Sequence, residues 1–342
     1  MIRKSRKDSA KSRNAIMFAA WEGVGKAGYL AAEFLIKAMD ARPAAEIDSS
    51  EYIYPSGIII ENNVIKQMIF PESIFYSAEY QGKNFIIFPG KFQFPITKEM
   101  PASSNPAYQY ACKILDAAES LGCREIFTAG GIFTMIHHSM DSGTAWGSND
   151  PFKMTELNMT LSGEYGLKDI LHPKTAFITG MNGILPYAAS DRELTASVLL
   201  GEVPIYLQSL PSPYPKASKS ILKSFAAATG ITFDYQEIDA MIKDSDREIE
   251  TLMSNFKSSL PPKERRSIFK GIELLKKKPD FKNLDKVFED IMENRDVQDN
   301  EGLSEICENR SPLSDKSEEL TQEDVKQAIV DIESFFRQEN DK

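Results

Sequence analysis

The sequence predicts an α/β fold, a mostly parallel sheet with helices on both faces, followed by a charged helical extension. Three observations lead there. Short apolar runs of strand length alternate with longer amphipathic stretches as far as Gly230. The tight glycine and proline connections follow the strands rather than precede them. The stretch Lys174 to Glu202 reads as the repeating unit of such a sheet. In it a buried run, Ala176-Phe177-Ile178-Thr179, stops at Gly180 and turns through Gly180-Met181-Asn182-Gly183. After the polar start Ser190-Asp191-Arg192-Glu193 it enters a helix that runs to Leu200.

Taken in order, Ala15 to Ala20 is a fully buried strand, Glu22 to Gly28 a glycine loop, and Tyr29 to Met39 a helix with Leu30, Phe34 and Leu35 on one face. Ile58-Ile59-Ile60 and Val64 to Phe70, joined by Glu61-Asn62-Asn63, form an antiparallel hairpin. Phe85 to Phe88 is a buried strand closed by Pro89-Gly90. Pro106 to Leu121 is a helix stopped by Gly122. Glu125 to Thr128 is a strand ended by Gly130-Gly131, and Ile136 to Asp150 is a long polar loop. Ile205 to Gln208 is the last strand, entering Leu210-Pro211-Ser212-Pro213-Tyr214-Pro215, and Lys216 to Thr229 is a helix ended by Gly230.

Beyond Ser258 the composition changes. Lys263 to Lys278 and Asn283 to Asn294 read as charged amphipathic helices, and Arg295 to Glu319 as an acidic linker too poor in apolar residues to fold. Thr321-Gln322-Glu323-Asp324 has the capping pattern of a helix start, followed by an apolar stripe of Val325, Ala328, Ile329, Ile332, Phe335 and Phe336. The expected organisation is a basic arm 1–13, an α/β domain 14–258, a helical extension 259–294, an acidic linker 295–320 and a C-terminal amphipathic helix 321–338.

The formal net charge of −10 is concentrated rather than spread. From Asp290 to Asp324 twelve acidic residues face three basic ones, so the body is close to neutral and offers no basic face for nucleic acid. Cys112, Cys123 and Cys307 show neither disulfide nor zinc spacing, which points to a reducing cytoplasm with no metal. Met1 to Arg13 is basic and Asn14 to Trp21 apolar. The likeness to a signal peptide is superficial, since the apolar run enters Glu22-Gly23-Val24-Gly25-Lys26 with no cleavage-type spacer. No stretch is long enough to span a membrane.

The glycine loop Gly23-x-Gly25-x-x-Gly28 after the first strand, the Gly130-Gly131 turn and the run Ile178-Thr179-Gly180-Met181-Asn182-Gly183-Ile184-Leu185 come in a characteristic order. That run continues through Thr195-Ala196-Ser197-Val198-Leu199-Leu200-Gly201-Glu202 to Pro215-Lys216-Ala217. In this order of motifs, over about Asn14 to Asn255, the chain resembles the proteasome assembly chaperone 2 family. The resemblance implies a three-layer α/β/α architecture similar to purine nucleoside phosphorylases, assembly into homo-oligomers, and action as a chaperone for proteasome α subunits. Proteasome-binding members can end in a hydrophobic–tyrosine–any tail, whereas this chain ends Asn340-Asp341-Lys342, so docking through such a tail is not expected.

The candidate crevice comprises Glu22, Gly23, Gly25, Gly28, Gly130, Gly131, His137, Gly180, Asn182 and Gly183, at the C-terminal ends of the strands, where open sheets meet ligands and partners. Gly25, Gly131 and Asn182 are expected to lie near one another. The first loop has dinucleotide spacing, with Glu46 and Asp48 as acidic candidates. No convincing second strand precedes them, and a tight turn with close helix packing is the favoured reading. It is not a Walker loop, because Ala27 follows Lys26. His137-His138, with Asp141 and Asp150 nearby, reads as a solvated loop pair rather than a base or ligand set. Asn182 reads as a turn residue and Glu202 as a solvated helix end. No Gly-x-Ser-x-Gly elbow is present. The favoured function is a non-catalytic chaperone-like or scaffold protein without a cofactor. The alternative is an enzyme or binding protein for a nucleotide or nucleoside-like ligand in the crevice. The stripe Val325, Ile329, Ile332, Phe335 and Phe336 is the candidate partner-docking surface.

Overall fold

The computed structural model describes residues 2–4, 14–94, 105–161, 178–208 and 213–259, with 261, 269, 272, 273 and 275–277 beyond them. The strands are β1 (Ile2–Lys4), β2 (Ala15–Trp21), β3 (Arg42–Ile47), β4 (Gly57–Glu61), β5 (Val64–Ile69), β6 (Ile74–Tyr80), β7 (Lys83–Gly90), β8 (Cys123–Thr134), β9 (Thr144–Ser148) and β10 (Thr195–Pro204). The helices are α1 (Ala27–Ala38), α2 (Pro106–Ser120), α3 (Pro151–Leu161), α4 (Met181–Ser190), α5 (Pro215–Thr229) and α6 (Gln236–Ser259). Two compact units divide the chain. The first comprises Met1–Thr134, Asp141–Val203 and Leu210–Arg247, and the second Met135–Met140, Pro204–Ser209 and Glu248–Lys342.

In the first unit eight strands form one sheet in the order β1-β3-β6-β7-β2-β8-β10-β9. Its centre is parallel, with β2 paired to β7 on one side and β8 on the other. Its flanks are antiparallel, through β7–β6, β6–β3, β3–β1 and β10–β9. Central β2 is buried along nearly its whole length, as a strand covered on both faces must be. Its side chains alternate. Met17, Ala19 and Trp21 join the core beneath α2 and α4, which supply Ala111, Ile114, Leu115, Leu185 and Ala189. Phe18 points the other way, to Phe225 of α5, where Phe85 of β7 and Phe127 of β8 also pack, with ring centroids 5.0, 5.9 and 5.3 Å from it. Two layers of helix on one sheet give the expected three-layer α/β/α architecture.

Several elements differ from the sequence reading. The residues from Thr195 form a strand, not the end of a helix. The run is apolar on both faces and buried almost throughout, a pattern that periodicity alone does not distinguish from a buried helix. The helix lies earlier, over Met181–Ser190, where a turn is expected. Met181, Leu185, Ala188 and Ala189 recur at helical spacing and are buried despite Gly183 and Pro186. Ile178 and Thr179 are not in a strand, and Ala176 and Phe177 lie outside the described residues. β8 runs through Gly130-Gly131 instead of stopping there. β9 forms inside the expected loop and pairs with β10. Ile205–Leu207 is a 3-10 turn, not a strand.

Strands β3 and β6 and helices α3 and α6 are additional to the sequence reading. Pro43 argues against a strand, yet β3 accommodates it beside an irregularity between Pro43 and Ala45. α3 starts on an Asp150-Pro151 cap, in which Asp150 Oδ1 accepts the Phe152 N–H at 2.8 Å. The expected helix at Asn283 to Asn294, the acidic linker and the C-terminal amphipathic helix lie outside the described residues, as does most of Lys263 to Lys278.

Candidate functional site

The strand ends of the first unit gather most of the expected crevice residues. After β2, Glu22 and Gly23 lead into a 3-10 turn, Val24–Lys26, in which Gly25 takes φ 57°. The Gly25 carbonyl accepts the Tyr214 N–H at 2.8 Å. A Cβ on Gly28 would sit 2.1 Å from the Ala129 carbonyl oxygen of β8, and one on Gly131 would sit 2.2 Å from the Val24 carbonyl oxygen. One on Gly130 would meet Asn182 Nδ2 at 2.6 Å, and Thr128 Oγ1 donates to the Asn182 carbonyl at 2.9 Å. Gly131 therefore seats the Val24–Gly25 turn while Gly130 seats Asn182, so these three expected neighbours converge on one strand end.

Gly180, at φ 72°, caps α4. Gln93 joins this cap to the first loop. Its Oε1 accepts the Met181 N–H at 3.0 Å, and its Nε2 donates to the Glu22 carbonyl at 3.5 Å. Gly183 lies inside α4, where a Cβ would meet the Ile178 carbonyl at 2.8 Å. Asn182 is thus a buried residue of the first helical turn, not a loop residue in a left-handed conformation. Gly23 differs from the others, since a Cβ there would meet nothing within 4 Å. The close glycines bring helix and turn backbone onto the sheet, as the packing reading of the first loop expects. Two buried polar atoms at these strand ends, Trp21 Nε1 and Asn182 Oδ1, make no hydrogen bond among the described residues.

A second polar cluster, not anticipated from sequence, joins β10, β9 and α5. Glu202 is fully buried within β10, not solvated at a helix end. Its Oε2 accepts the Gly143 N–H at 2.7 Å, and its own N–H donates to the Gly143 carbonyl at 3.0 Å. Ser220 of α5 donates to the same carbonyl at 2.7 Å and lies 2.8 Å from Thr144 Oγ1. Burial raises the Tyr214 phenol well above its ordinary range. The only sequence signal for this cluster is a carboxylate inside an apolar run. Burial likewise pushes the Cys123 thiol up to about 12, so it is not poised as a nucleophile.

His137 and His138 belong to the second unit, and both are buried, in contrast to the expected solvated pair. The rings lie 4.1 Å apart at 31°. The Tyr206 Oη accepts the His138 backbone N–H at 2.7 Å and lies 2.8 Å from His138 Nδ1, while His138 Nε2 lies 3.1 Å from Glu250 Oε1. The Tyr206 Oη thus bridges the backbone N–H and the Nδ1 of His138, while Nε2 stands within hydrogen-bond distance of Glu250. His137 Nδ1 lies 2.7 Å from Ser139 Oγ. Burial first, then the neighbouring His138, lowers His137 from 6.5 to about 4. A cavity of about 290 Å³ opens beside the pair, lined by Glu250, Lys257, Phe269 and Glu273 among others. Among the described residues no three His, Cys, Asp or Glu side chains are placed to hold a metal, and no helix is long and apolar enough to cross a membrane.

The model of the PAC2 family matches residues 17–253. No match is found among curated proteins. Among solved structures the chain is similar to Pyrococcus furiosus PbaB, an archaeal proteasome activator. The TM-score is 0.60 at 22% identity, covering 74% of this chain and 98% of that one. It is also similar to a PAC2 family protein from Streptomyces avermitilis, with a TM-score of 0.54 at 19% identity over 70% of this chain and 95% of that one. The proteasome-assembly chaperone homologue of Mycobacterium tuberculosis gives 0.53 at 18% identity, over 69% of this chain and 94% of that one. Likeness at these identities is a likeness of fold.

Proposed function

The chain belongs to the PAC2 family, and on that premise we propose that it is a non-catalytic, chaperone-like or scaffold protein that acts through protein–protein contacts. The observation that carries this reading is the family match across nearly all of the described residues. Among the solved proteins of like fold are a proteasome activator and a proteasome-assembly chaperone homologue. The partner class that follows is a proteasome α-type subunit, met by a cytoplasmic homo-oligomer that uses neither nucleic acid nor a membrane. The glycine-rich strand ends around Gly25, Gly131 and Asn182 are the first candidate contact surface. The C-terminal stripe Val325, Ile329, Ile332, Phe335 and Phe336 is the second, since a helix of that length needs a surface against which to bury its apolar face.

Purified chain is to be mixed with purified proteasome α subunits of the same source and the mixture resolved by sedimentation. A co-sedimenting complex, weakened by replacing both Phe335 and Phe336 with Ala while the melting temperature holds, supports the role and the docking surface. Absence of any complex with α subunits at micromolar concentrations overturns the partner assignment. A large fall in melting temperature with unchanged association would place the stripe in the chain's own core.

A further inference from the structure

The cavity beside His137 and His138 is lined by residues of the second unit alone. One wall is a single face of α6, where Glu250, Met253, Ser254 and Lys257 follow at helical spacing. Its polar groups divide into those with partners and those without. Both carboxylates already face a donor. Glu250 Oε1 lies 3.1 Å from His138 Nε2, and Glu273 Oε2 lies 2.6 Å from Lys276 Nζ.

Three donors are left over. The side chains of Ser254 and Lys257 make no hydrogen bond or ion pair among the described residues. The third donor is the Nε2–H of His137. That residue is 3% exposed, its Nδ1 accepts the Ser139 N–H at 3.1 Å, and burial keeps the ring neutral. The single ring proton therefore sits on Nε2, which makes no hydrogen bond among the described residues. A donor on so deeply buried a side chain calls for an acceptor. Apolar groups complete the lining. Met253 and Ile272 are buried, and the centroid of the Phe269 ring lies 5.2 Å from Lys257 Nζ, so the ring face draws the ammonium to the cavity wall.

We propose that this cavity binds a small monocarboxylic acid, with the carboxylate held by Lys257, Ser254 and the Nε2–H of His137 and the apolar body against Met253, Phe269 and Ile272. Donors that lack acceptors suit an oxyanion, and one cation without a counter-ion suits a single negative charge. An inorganic oxyanion would leave the apolar wall uncovered. A volume of about 290 Å³ lies at the small end for ligand sites, which suits a short aliphatic chain or a single ring. The inference goes beyond the chaperone-like role and does not rest on it.

The full chain is to be titrated calorimetrically with hexanoate, phenylacetate, hexanamide and inorganic phosphate. Saturable binding of at least one acid at a single site is expected, tighter by about tenfold or more than binding of the amide or of phosphate, since only the acids join a charge to an apolar body. Lys257→Met should weaken it by about tenfold or more. The melting temperature should hold in that variant, because Lys257 is exposed. His137→Leu removes the buried donor and should also weaken binding, whereas His137→Gln keeps an N–H and should retain most of it. Lys257→Met decides the matter even where His137→Leu does not fold. No saturable binding of either acid, equal binding of hexanoate and hexanamide, or undiminished binding in Lys257→Met would overturn the inference. The α-subunit experiment reads a different contact, so the two can fail separately.

Discussion

Gly23, before the 3-10 turn, and Gly28, in the first turn of α1, stand five residues apart and have opposite surroundings. A Cβ at Gly28 would stand 2.1 Å from a backbone oxygen of β8, which cannot yield without moving the sheet, whereas Gly23 faces open space in an extended conformation. Gly28→Ala is therefore expected to cost about 3 kcal/mol, and Gly23→Ala less than about 0.5 kcal/mol. Thermal melts of the two variants check this, and equal effects would show that the loop's spacing does not serve close packing. His137 makes a second residue-scale prediction. Its folded pKa of about 4 lies below the ordinary 6.5, so between those values the unfolded chain binds a proton that the native one does not. Stability attributable to this group is complete above about pH 6.5 and falls as the pH drops toward 4, by at most about 3 kcal/mol. His138, Glu250, Glu273 and Lys276 bear on the same ring. His137→Gln should flatten the pH dependence of the melting temperature over that window, and an unaltered slope would assign the dependence to other groups.

At the scale of elements, Phe225 ties α5 to the centre of the sheet. Phe225 packs edge-on against Phe18, Phe85 and Phe127, one ring from each of the three parallel strands. Phe225→Ala is expected to destabilise by about 4 kcal/mol, because the cavity opens between rigid strands that cannot close over it. Phe152→Ala, at a side chain 87% exposed, should leave the melt nearly unchanged. The sequence shows α1, α2 and α5 because each carries an apolar stripe and a clear stop, such as Gly230 in the left-handed conformation after Thr229. It shows the β4–β5 hairpin through the Asn62-Asn63 turn. β10 is misread as a helix because a strand buried on both faces loses the alternation that identifies strands. α6 is missed because its buried residues, among them Ile238, Ile249, Met253 and Phe256, are thinly spread through charged sequence.

For the whole molecule, the strands described all lie before Ser258, so residues 1–258 are expected to fold. Ending there nonetheless removes Ile272 and Leu275, both buried in the second unit, and Phe269, whose ring lies 5.9 Å from Phe256. A chain ending at 277 should be more stable than one ending at 258 by about 4 kcal/mol, the burial of two aliphatic side chains. Denaturant melts of the two lengths measure the difference. Identical curves would mean that these residues contribute nothing to the second unit.

The sequence by itself determines the α/β class, the amphipathic helices, the hairpin and the family, because these depend on local periodicity, turn chemistry and the order of motifs. It also points to the glycines that gather at the strand ends. The tertiary structure decides what they do there. Gly28, Gly130 and Gly131 are needed because Ala129, Asn182 and Val24, distant along the chain, lie where a Cβ would be. It decides that Glu202 and His137 are buried, which depends on neighbours brought by other elements. It also decides that Lys66 is an extra residue between the Ile60–Ile65 and Ile59–Gln67 pairs, since only the pairing register determines which residues stand opposite each other.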